Sequence, residues 1–192
     1  MFKKEWENSY SSETLQNKNE YPSEEIINFL MHKYSYLNDR SNINILELGC
    51  GWGNNLKFLK DKGFSYYGVD FSPTAIEHCK KNHRNVYCCS IHELPFREDF
   101  FDVVFDRMAL QHNPFNVIEN SFFEVRRVLK KGGIFYSILA EEAQYTFETS
   151  FLLKSEIKNL AKLFSSNYVE TIIRFKEDGK IISKVNILNA TK

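Results

Sequence analysis

The stretch Asn44–Asp70, NILELGCGWGNNLKFLKDKGFSYYGVD, predicts a buried strand, a glycine loop, a helix and a second strand that ends on an acidic residue. Glycine recurs at Gly49, Gly51 and Gly53. Because glycine has no Cβ, such a loop turns tightly and lets a ligand approach its backbone. Asp70 follows about twenty residues after the loop, a spacing at which a carboxylate binds the hydroxyls of a ribose. The pattern favours a cofactor that contains a nucleoside.

Two features separate this loop from the dinucleotide-binding fingerprint G-x-G-x-x-G. The third glycine comes one residue early, and Asn54 stands where the fingerprint has glycine. Glu47, just before the loop, carries a carboxylate that would repel a pyrophosphate and suit a cationic ligand. The loop therefore disfavours a nicotinamide cofactor.

An acidic residue followed by G-x-G-x-G resembles the first motif of the class I S-adenosylmethionine-dependent methyltransferases. The resemblance covers about residues 40–192 and includes three further segments in the expected order: Leu94-Pro95-Phe96, Phe101-Asp102-Val103-Val104 and Val128-Leu129-Lys130-Lys131-Gly132-Gly133. It implies that the chain is a methyltransferase with S-adenosyl-L-methionine as cofactor and S-adenosyl-L-homocysteine as product.

Alternating strand and helix patterns predict an α/β fold with a doubly wound, mostly parallel sheet. The predicted strands are 44–48, 65–69, 85–89, 101–105 and 134–139, then a hairpin of 167–175 and 180–188 around Glu177-Asp178-Gly179. The predicted helices are 23–37, 54–62, 73–82, one from Pro114 that ends at Lys131-Gly132-Gly133, and 154–164. A seven-stranded, Rossmann-like sheet with an antiparallel C-terminal hairpin is what the resemblance implies. We assign residues 1–22 to an N-terminal arm and residues 23–192 to the methyltransferase domain.

Composition restricts the classes of partner. Equal numbers of basic and acidic residues, 25 of each, argue against a general nucleic-acid binder. The sequence has no apolar run of membrane-spanning length and no signal-peptide core at its start. The four cysteines have no metal-site spacing. We expect a cytoplasmic protein without a metal, a nucleic-acid partner or a membrane partner, and the sequence favours no oligomeric state.

The resemblance assigns cofactor contacts to the loops after the first four strands. It implies that Glu47 holds the amino group of the cofactor, although a carboxylate that braces the loop is the alternative. Gly49, Cys50 and Gly51 are expected to contact the methionine part through their backbone, and Asn54 is included as a cofactor contact at the start of the helix. Asp106, at the end of the fourth strand, is expected at the floor of the pocket.

Residues after the second and third strands are expected to contact the adenosine half of the cofactor. Asp70 is expected to bind the ribose hydroxyls and Phe71 to lie against the adenine. Many relatives have an acidic residue at the position of Ser90 that meets the adenine amino group. A hydroxyl accepts that hydrogen bond less strongly, so the backbone of Ile91 or the side chain of His92 is expected to contribute.

His112 and Arg107 are the catalytic candidates. Relatives often have two histidines after the fourth strand, and Gln111 replaces the first here. His112 would act as a general base for a hydroxyl acceptor, or it caps the helix that starts at Pro114. Arg107 would hold an acceptor carboxylate or phosphate, or it pairs with Asp102 or Asp106.

Three aromatic residues of the arm, Trp6, Tyr10 and Tyr21, correspond to a segment that in similar small methyltransferases closes over the cofactor. Packing on the domain surface is the alternative. The segment 140–150 is too short for a docking domain, which favours a small-molecule acceptor. The compact build resembles bacterial enzymes that modify sugars of surface polysaccharides, so a sugar hydroxyl is one hypothesis. An N- or S-methyltransferase for a small amine or thiol, and a catalytically silent binding protein, are the alternatives.

Overall fold

A computed structural model describes residues 2–11, 21–142, 149–175 and 180–192. The helices of the described chain are α1 (Phe2–Ser11), α2 (Glu24–Tyr34), α3 (Asn54–Asp61), α4 (Pro73–Lys80), α5 (Phe115–Val128) and α6 (Lys154–Leu160). Its strands are β1 (Asn44–Leu48), β2 (Ser65–Asp70), β3 (Val86–Cys88), β4 (Phe101–Arg107), β5 (Leu129–Glu142), β6 (Ser166–Phe175) and β7 (Ile181–Thr191). Short 3₁₀ turns lie at Leu110–His112 and Ala161–Leu163.

The seven strands form one sheet in the order β3-β2-β1-β4-β5-β7-β6. Strands β1 to β5 pair in parallel, and β7 lies antiparallel between β5 and β6. The chain proceeds from β1 towards one edge and then returns to place β4 on the other side of β1. The predicted Rossmann-like sheet and its antiparallel C-terminal strands are confirmed, and the reversal of strand order creates a crevice beside β1.

Helices cover both faces of the sheet because residues of the central strands alternate between two apolar cores. In β1, Ile45 packs into a core with residues of α2, α3 and α4. Its neighbours Leu46 and Leu48 pack into the opposite core, which contains residues of α5 and α6. This two-sided burial makes the sheet doubly wound and leaves the carboxyl ends of its strands as the accessible edge.

The junction between α5 and β5 differs from the prediction. The helix ends at Val128, so the prediction that Lys131-Gly132-Gly133 ends it is wrong. β5 begins at once with Leu129 opposite Phe101, and the register then shifts in a bulge. Gly132 adopts a φ of 78°, and a Cβ on Gly133 would lie 3.0 Å from the carbonyl oxygen of Phe101. The glycines therefore form a bulge against β4 rather than a helix end.

Other predicted elements are present with shifted ends. Helices α2 and α4 stop three and two residues earlier than expected, α6 passes into the second 3₁₀ turn, and β4 runs two residues further. Ser72 caps α4 as predicted, because its Oγ accepts a hydrogen bond from the Ala75 amide at 3.0 Å. Ser23 stands directly before α2, but its side chain does not cap the helix. Its hydroxyl donates a hydrogen bond to the Glu25 carboxylate instead. The expected turn Glu177-Asp178-Gly179 lies outside the described residues.

No helix in the described ranges combines the length and apolarity needed to cross a membrane.

Phe122 and Phe123 provide a matched test of the core on the α5 side. Phe122 is fully buried with its ring centroid 5.3 Å from that of Phe135, whereas Phe123 is 53% exposed. Phe122→Ala should lower the free energy of unfolding by about 3–5 kcal/mol because it leaves a cavity. Phe123→Ala should cost less than about 1 kcal/mol. Urea unfolding followed by circular dichroism measures both, and equal losses would contradict this packing.

Candidate active site

A cavity of about 270 Å³ lies at the carboxyl ends of β1, β2 and β4. Its wall brings together most of the residues predicted to form the site: Glu47, Gly49, Cys50, Gly51, Asn54, Asp70, Phe71, Ser90, Ile91, Arg107 and His112. Two predicted residues, His92 and Asp106, do not line it. The cavity occupies the crevice where a wound sheet binds its ligands.

The glycine loop between β1 and α3 is shaped by left-handed backbone and by close packing. Gly49 has a φ of 67°, and a Cβ there would lie 2.2 Å from the Cβ of Ala109. Gly51 has a φ of 50°, and its Cβ would lie 2.8 Å from the hydroxyl oxygen of Tyr10. Other residues would therefore be strained at both positions and would collide with a neighbour.

Asp70 joins the glycine loop to the start of α4. Its side chain is 3% exposed, and its two oxygens accept hydrogen bonds from the amides of Gly51 and Ser72, each at 2.9 Å. Burial raises the pKa of Asp70, and these two amides oppose the rise. Asp70 lines the cavity, and Ser72 rather than Asp70 caps α4 with its side chain.

Glu47 is a buried carboxyl group with two unequal oxygens. Its Oε1 accepts a hydrogen bond from the Asn55 side chain at 2.6 Å, while Oε2 has no hydrogen-bond partner among the described residues. Burial raises the pKa of Glu47 well above its ordinary value, against the effect of Asn55. A buried acceptor without a partner costs free energy, so the wall offers a favourable position to a cationic donor.

Asp106 lies behind the cavity wall rather than at its floor. Its Oδ1 accepts hydrogen bonds from the amides of Ala109 and Leu110 at 2.7 and 3.0 Å, and Oδ2 accepts one from the Ser137 hydroxyl at 2.9 Å. These bonds turn the carboxylate inward and hold the 3₁₀ turn that carries His112. The resemblance implied that Asp106 lies at the floor of the pocket. In the structure, both of its carboxylate oxygens are instead hydrogen-bonded to other residues of the protein.

His92 also lies away from the cavity wall. Its Nδ1 is 2.7 Å from the hydroxyl oxygen of Ser90, which does line the cavity. His92 therefore contacts the candidate adenine region through Ser90 rather than directly.

His112 and Arg107 occupy the side of the cavity formed after β4. The His112 ring is 8% exposed, makes an edge contact with Trp6 at a centroid distance of 4.8 Å, and has Nδ1 3.3 Å from the Thr149 hydroxyl oxygen. Arg107 is exposed at the rim of the cavity. Asp102 pairs with Lys130 at 2.7 Å instead of with Arg107.

Helix α1 lies over the glycine loop. Trp6 and Tyr10 line the cavity from this side, and burial raises the pKa of Tyr10. Glu7 accepts hydrogen bonds from the hydroxyls of Ser72, at 2.5 Å, and Thr74 at the start of α4. These contacts attach α1 to the same loop that carries Asp70.

Several wall residues were not predicted from the sequence. Trp52 stands between two glycines of the loop, and its ring lies 4.0 Å from that of His78. Asn55 follows Asn54 in α3 and bonds to Glu47. The sequence signal for Trp52 is its place inside the glycine motif, whereas the pairing of Asn55 with Glu47 spans a loop and has no local signal. The remaining unpredicted wall residues are Ser23, which precedes α2, and three residues that follow β4: Met108, Ala109 and Asn113.

Residues 46–137 match the protein family described as a methyltransferase domain. An uncharacterized methyltransferase of Synechocystis sp. is 37% identical over 93 residues, which cover 47% of this chain and 44% of that protein. A malonyl-[acyl-carrier protein] O-methyltransferase of Buchnera aphidicola is 30% identical over 114 residues, covering 57% of this chain and 45% of the relative. The chain spans about half the length of the curated relatives it matches.

The crystal structure of the PH0226 protein from Pyrococcus horikoshii superposes with a TM-score of 0.67 at 20% identity, covering 94% of this chain and 99% of that one. This likeness shows the shared fold. The sheet, the glycine loop between two acidic residues and the cavity beside β1 are those of a Rossmann-like α/β protein of the methyltransferase type. The family match over residues 46–137, the methyltransferase relatives and the shared fold support a class I S-adenosylmethionine-dependent methyltransferase.

The buried carboxyl group of Asp106 predicts a pH-dependent contribution to stability. Burial raises its pKa to about 6 from an ordinary 3.8, so the folded protein binds this proton more tightly than the unfolded chain. The contribution is fully present below about pH 4 and is lost as the pH rises through about 6. Asp106→Asn retains a polar side chain and removes this titration.

The free energy of unfolding of the wild-type protein minus that of Asp106→Asn should therefore fall between pH 4 and pH 6 and level off near pH 7. Chemical unfolding of both proteins at each pH measures the difference. A difference that does not change with pH would show that Asp106 is already charged in the fold throughout this range.

Proposed function

We propose that this protein is an S-adenosylmethionine-dependent methyltransferase that acts on a hydroxyl group of a small molecule. The observation that carries the cofactor assignment is the buried Glu47 carboxyl group, whose Oε2 lacks a partner among the described residues, in the same cavity as Asp70. A sugar hydroxyl, as in bacterial surface polysaccharides, is the first acceptor to test.

The residues present fit the cofactor at both of its ends. The free oxygen of Glu47 would take the ammonium group, and the backbone of the glycine loop at Gly49 and Gly51 would lie against the methionine part. Asp70 would accept hydrogen bonds from the ribose hydroxyls. The adenine would lie among the other cofactor-side residues of the wall, Phe71, Ser90 and Ile91.

The charge of the wall supports this choice over a dinucleotide. Glu47 and Asp70 are both 3% exposed, and both face the cavity. The carboxyl group of Glu47, directly before the glycine loop, would repel the negative charges of a pyrophosphate, whereas an ammonium group would pair with it.

When bound, S-adenosyl-L-methionine supplies a methyl group activated on a sulfonium centre. The contribution of this chain is to position the acceptor and exclude water. Helix α1 supports both roles, because Tyr10 lies against the glycine loop at Gly51, Trp6 packs against His112, and Glu7 fastens the helix to α4. We therefore propose that residues 1–22 form a lid over the domain of residues 23–192.

The acceptor side of the cavity supports a hydroxyl substrate. His112 is the one histidine in the described wall, and its imidazole would accept the hydroxyl proton as the oxygen is methylated. The exposed guanidinium of Arg107 at the rim would bind a phosphate or carboxylate of the same acceptor. A nucleotide sugar combines a hydroxyl with such phosphates, and it is therefore the first compound class to screen.

An acceptor amine or thiol remains the alternative substrate, and a binding protein without activity is the other. The glycine loop and both acidic residues favour a cofactor-binding protein over a scaffold. The cytoplasmic location and the small-molecule acceptor stay predictions of the sequence.

Calorimetric titration with S-adenosylhomocysteine tests the cofactor assignment. Asp70→Ala should weaken binding by about 1–3 kcal/mol, because a buried charge-assisted acceptor is lost. Asp61→Ala is the control, since Asp61 is an exposed residue of α3 that pairs with Lys57. NADH should not bind. Absence of adenosyl-ligand binding to the wild-type protein, or full affinity in Asp70→Ala, would contradict the assignment.

His112→Gln separates a hydroxyl acceptor from an amine or thiol. On a hydroxyl acceptor, the variant should lose turnover by about 10²–10⁴-fold, because glutamine cannot take up the proton. Its affinity for S-adenosylhomocysteine should stay within a factor of about two, since His112 lies on the acceptor side. Methyl transfer to a panel of hydroxyl, amine and thiol compounds measures this, and unchanged turnover on a hydroxyl acceptor would leave His112 with a packing role only.

A further inference from the structure

We propose that Asn55 is a positioning residue that aims the free oxygen of Glu47 at the amino group of the ligand. The site thereby selects adenosyl ligands that carry an amino-acid tail over those that lack one. The inference rests on the proposed function, because it concerns the cofactor of the same cavity.

Both ends of the Asn55 side-chain amide form hydrogen bonds, one as a donor and the other as an acceptor. Its Nδ2 donates to Glu47 Oε1 at 2.6 Å, and its Oδ1 accepts from the Ser23 amide at 2.8 Å. A flipped amide would place an oxygen against a carboxylate and an NH₂ group against an N–H donor. The two partners therefore fix the orientation of the amide. Asn55 is 7% exposed, which removes competition from water.

This bond determines which oxygen of Glu47 remains for a ligand. With Oε1 held by Asn55, the carboxyl group cannot rotate to satisfy Oε2 without losing a short hydrogen bond. Oε2 has no partner among the described residues, and Glu47 lines the cavity. An ammonium group is the donor that best compensates a buried carboxylate.

Asn55 also stabilises the charged form of Glu47. Burial raises the pKa of this carboxyl group, and the hydrogen bond from Asn55 acts in the opposite direction. Without Asn55, Glu47 would be both free to rotate and more readily protonated. Each change weakens the attraction for an ammonium group and leaves the adenosine contacts intact.

A purely structural role for Asn55 makes a different prediction. Its bond to Ser23 ties the start of α2 to α3, so a structural role would affect the whole cavity. In that case all adenosyl ligands would lose affinity together. Ligands with and without the amino-acid tail therefore distinguish the two roles.

The experiment compares S-adenosylhomocysteine with 5′-methylthioadenosine, which keeps the adenosine and the thioether but has no amino acid. In Asn55→Ala, affinity for S-adenosylhomocysteine should fall by about tenfold or more, while affinity for 5′-methylthioadenosine should change less than about twofold. Equal loss for both ligands, or no loss for either, overturns the proposal. If neither ligand binds the wild-type protein, the proposed function itself fails.

Two further variants separate positioning from stability. Ser23→Pro removes the amide that binds Asn55 Oδ1 but keeps the bond to Glu47, and the φ of −66° at Ser23 accommodates proline. It should preserve the preference between the two ligands, and loss of that preference overturns the proposal.

Glu47→Gln should itself lower the affinity for S-adenosylhomocysteine, and adding Asn55→Ala should then cost less than about twofold more. Additive losses would mean that Asn55 does not act through Glu47. If Asn55→Ala does not fold, the affinities of the wild-type protein for the two ligands are compared instead. A preference of about tenfold or more for S-adenosylhomocysteine supports the proposal, and equal affinities overturn it.

Discussion

The close approach of Gly49 to Ala109 is the constraint on which the site depends. Because a Cβ at Gly49 would lie 2.2 Å from that of Ala109, the loop after β1 and the turn after β4 fit together only with glycine there. The Asp106 carboxyl group holds Ala109 in place through its amide. Asp70 binds the same loop from the other side through the Gly51 amide. The backbone that lines the cavity is thus clamped between two buried acids.

The cavity wall contains several groups whose burial costs free energy when no ligand is bound. Glu47 and Asp70 are buried acids with raised pKa values, and Glu47 Oε2 has no partner among the described residues. The left-handed conformations of the glycine loop add strain for any other residue type. Buried acids with perturbed pKa values cluster at functional sites, which is in line with the proposed binding role. The family match connects these buried acids with a methyltransferase domain.

The sequence predicted the features that lie within one continuous stretch. Glu47, the glycines and Asp70 belong to a single strand-loop-helix-strand unit, and local periodicity with glycine spacing is enough to find them. Asp106 could not be placed correctly, because its orientation depends on a hydroxyl from β5. Asn55 was missed for the same reason, since its partners are eight and 32 residues away along the chain. The bulge at Gly132 and Gly133 depends on the backbone of β4, and a helix-stop signal resembles it in sequence.

Helix α1 has a kinetic consequence under the proposed function. It touches the cofactor side through Tyr10 near Gly51 and the acceptor side through Trp6 against His112. Cofactor and acceptor would therefore exchange through one route that α1 covers. A ten-residue helix fastened through Glu7 is a small unit that would undock as one piece. Turnover would then be paced by the opening of this helix after each methyl transfer, and solvent viscosity would slow it even when the chemistry is fast.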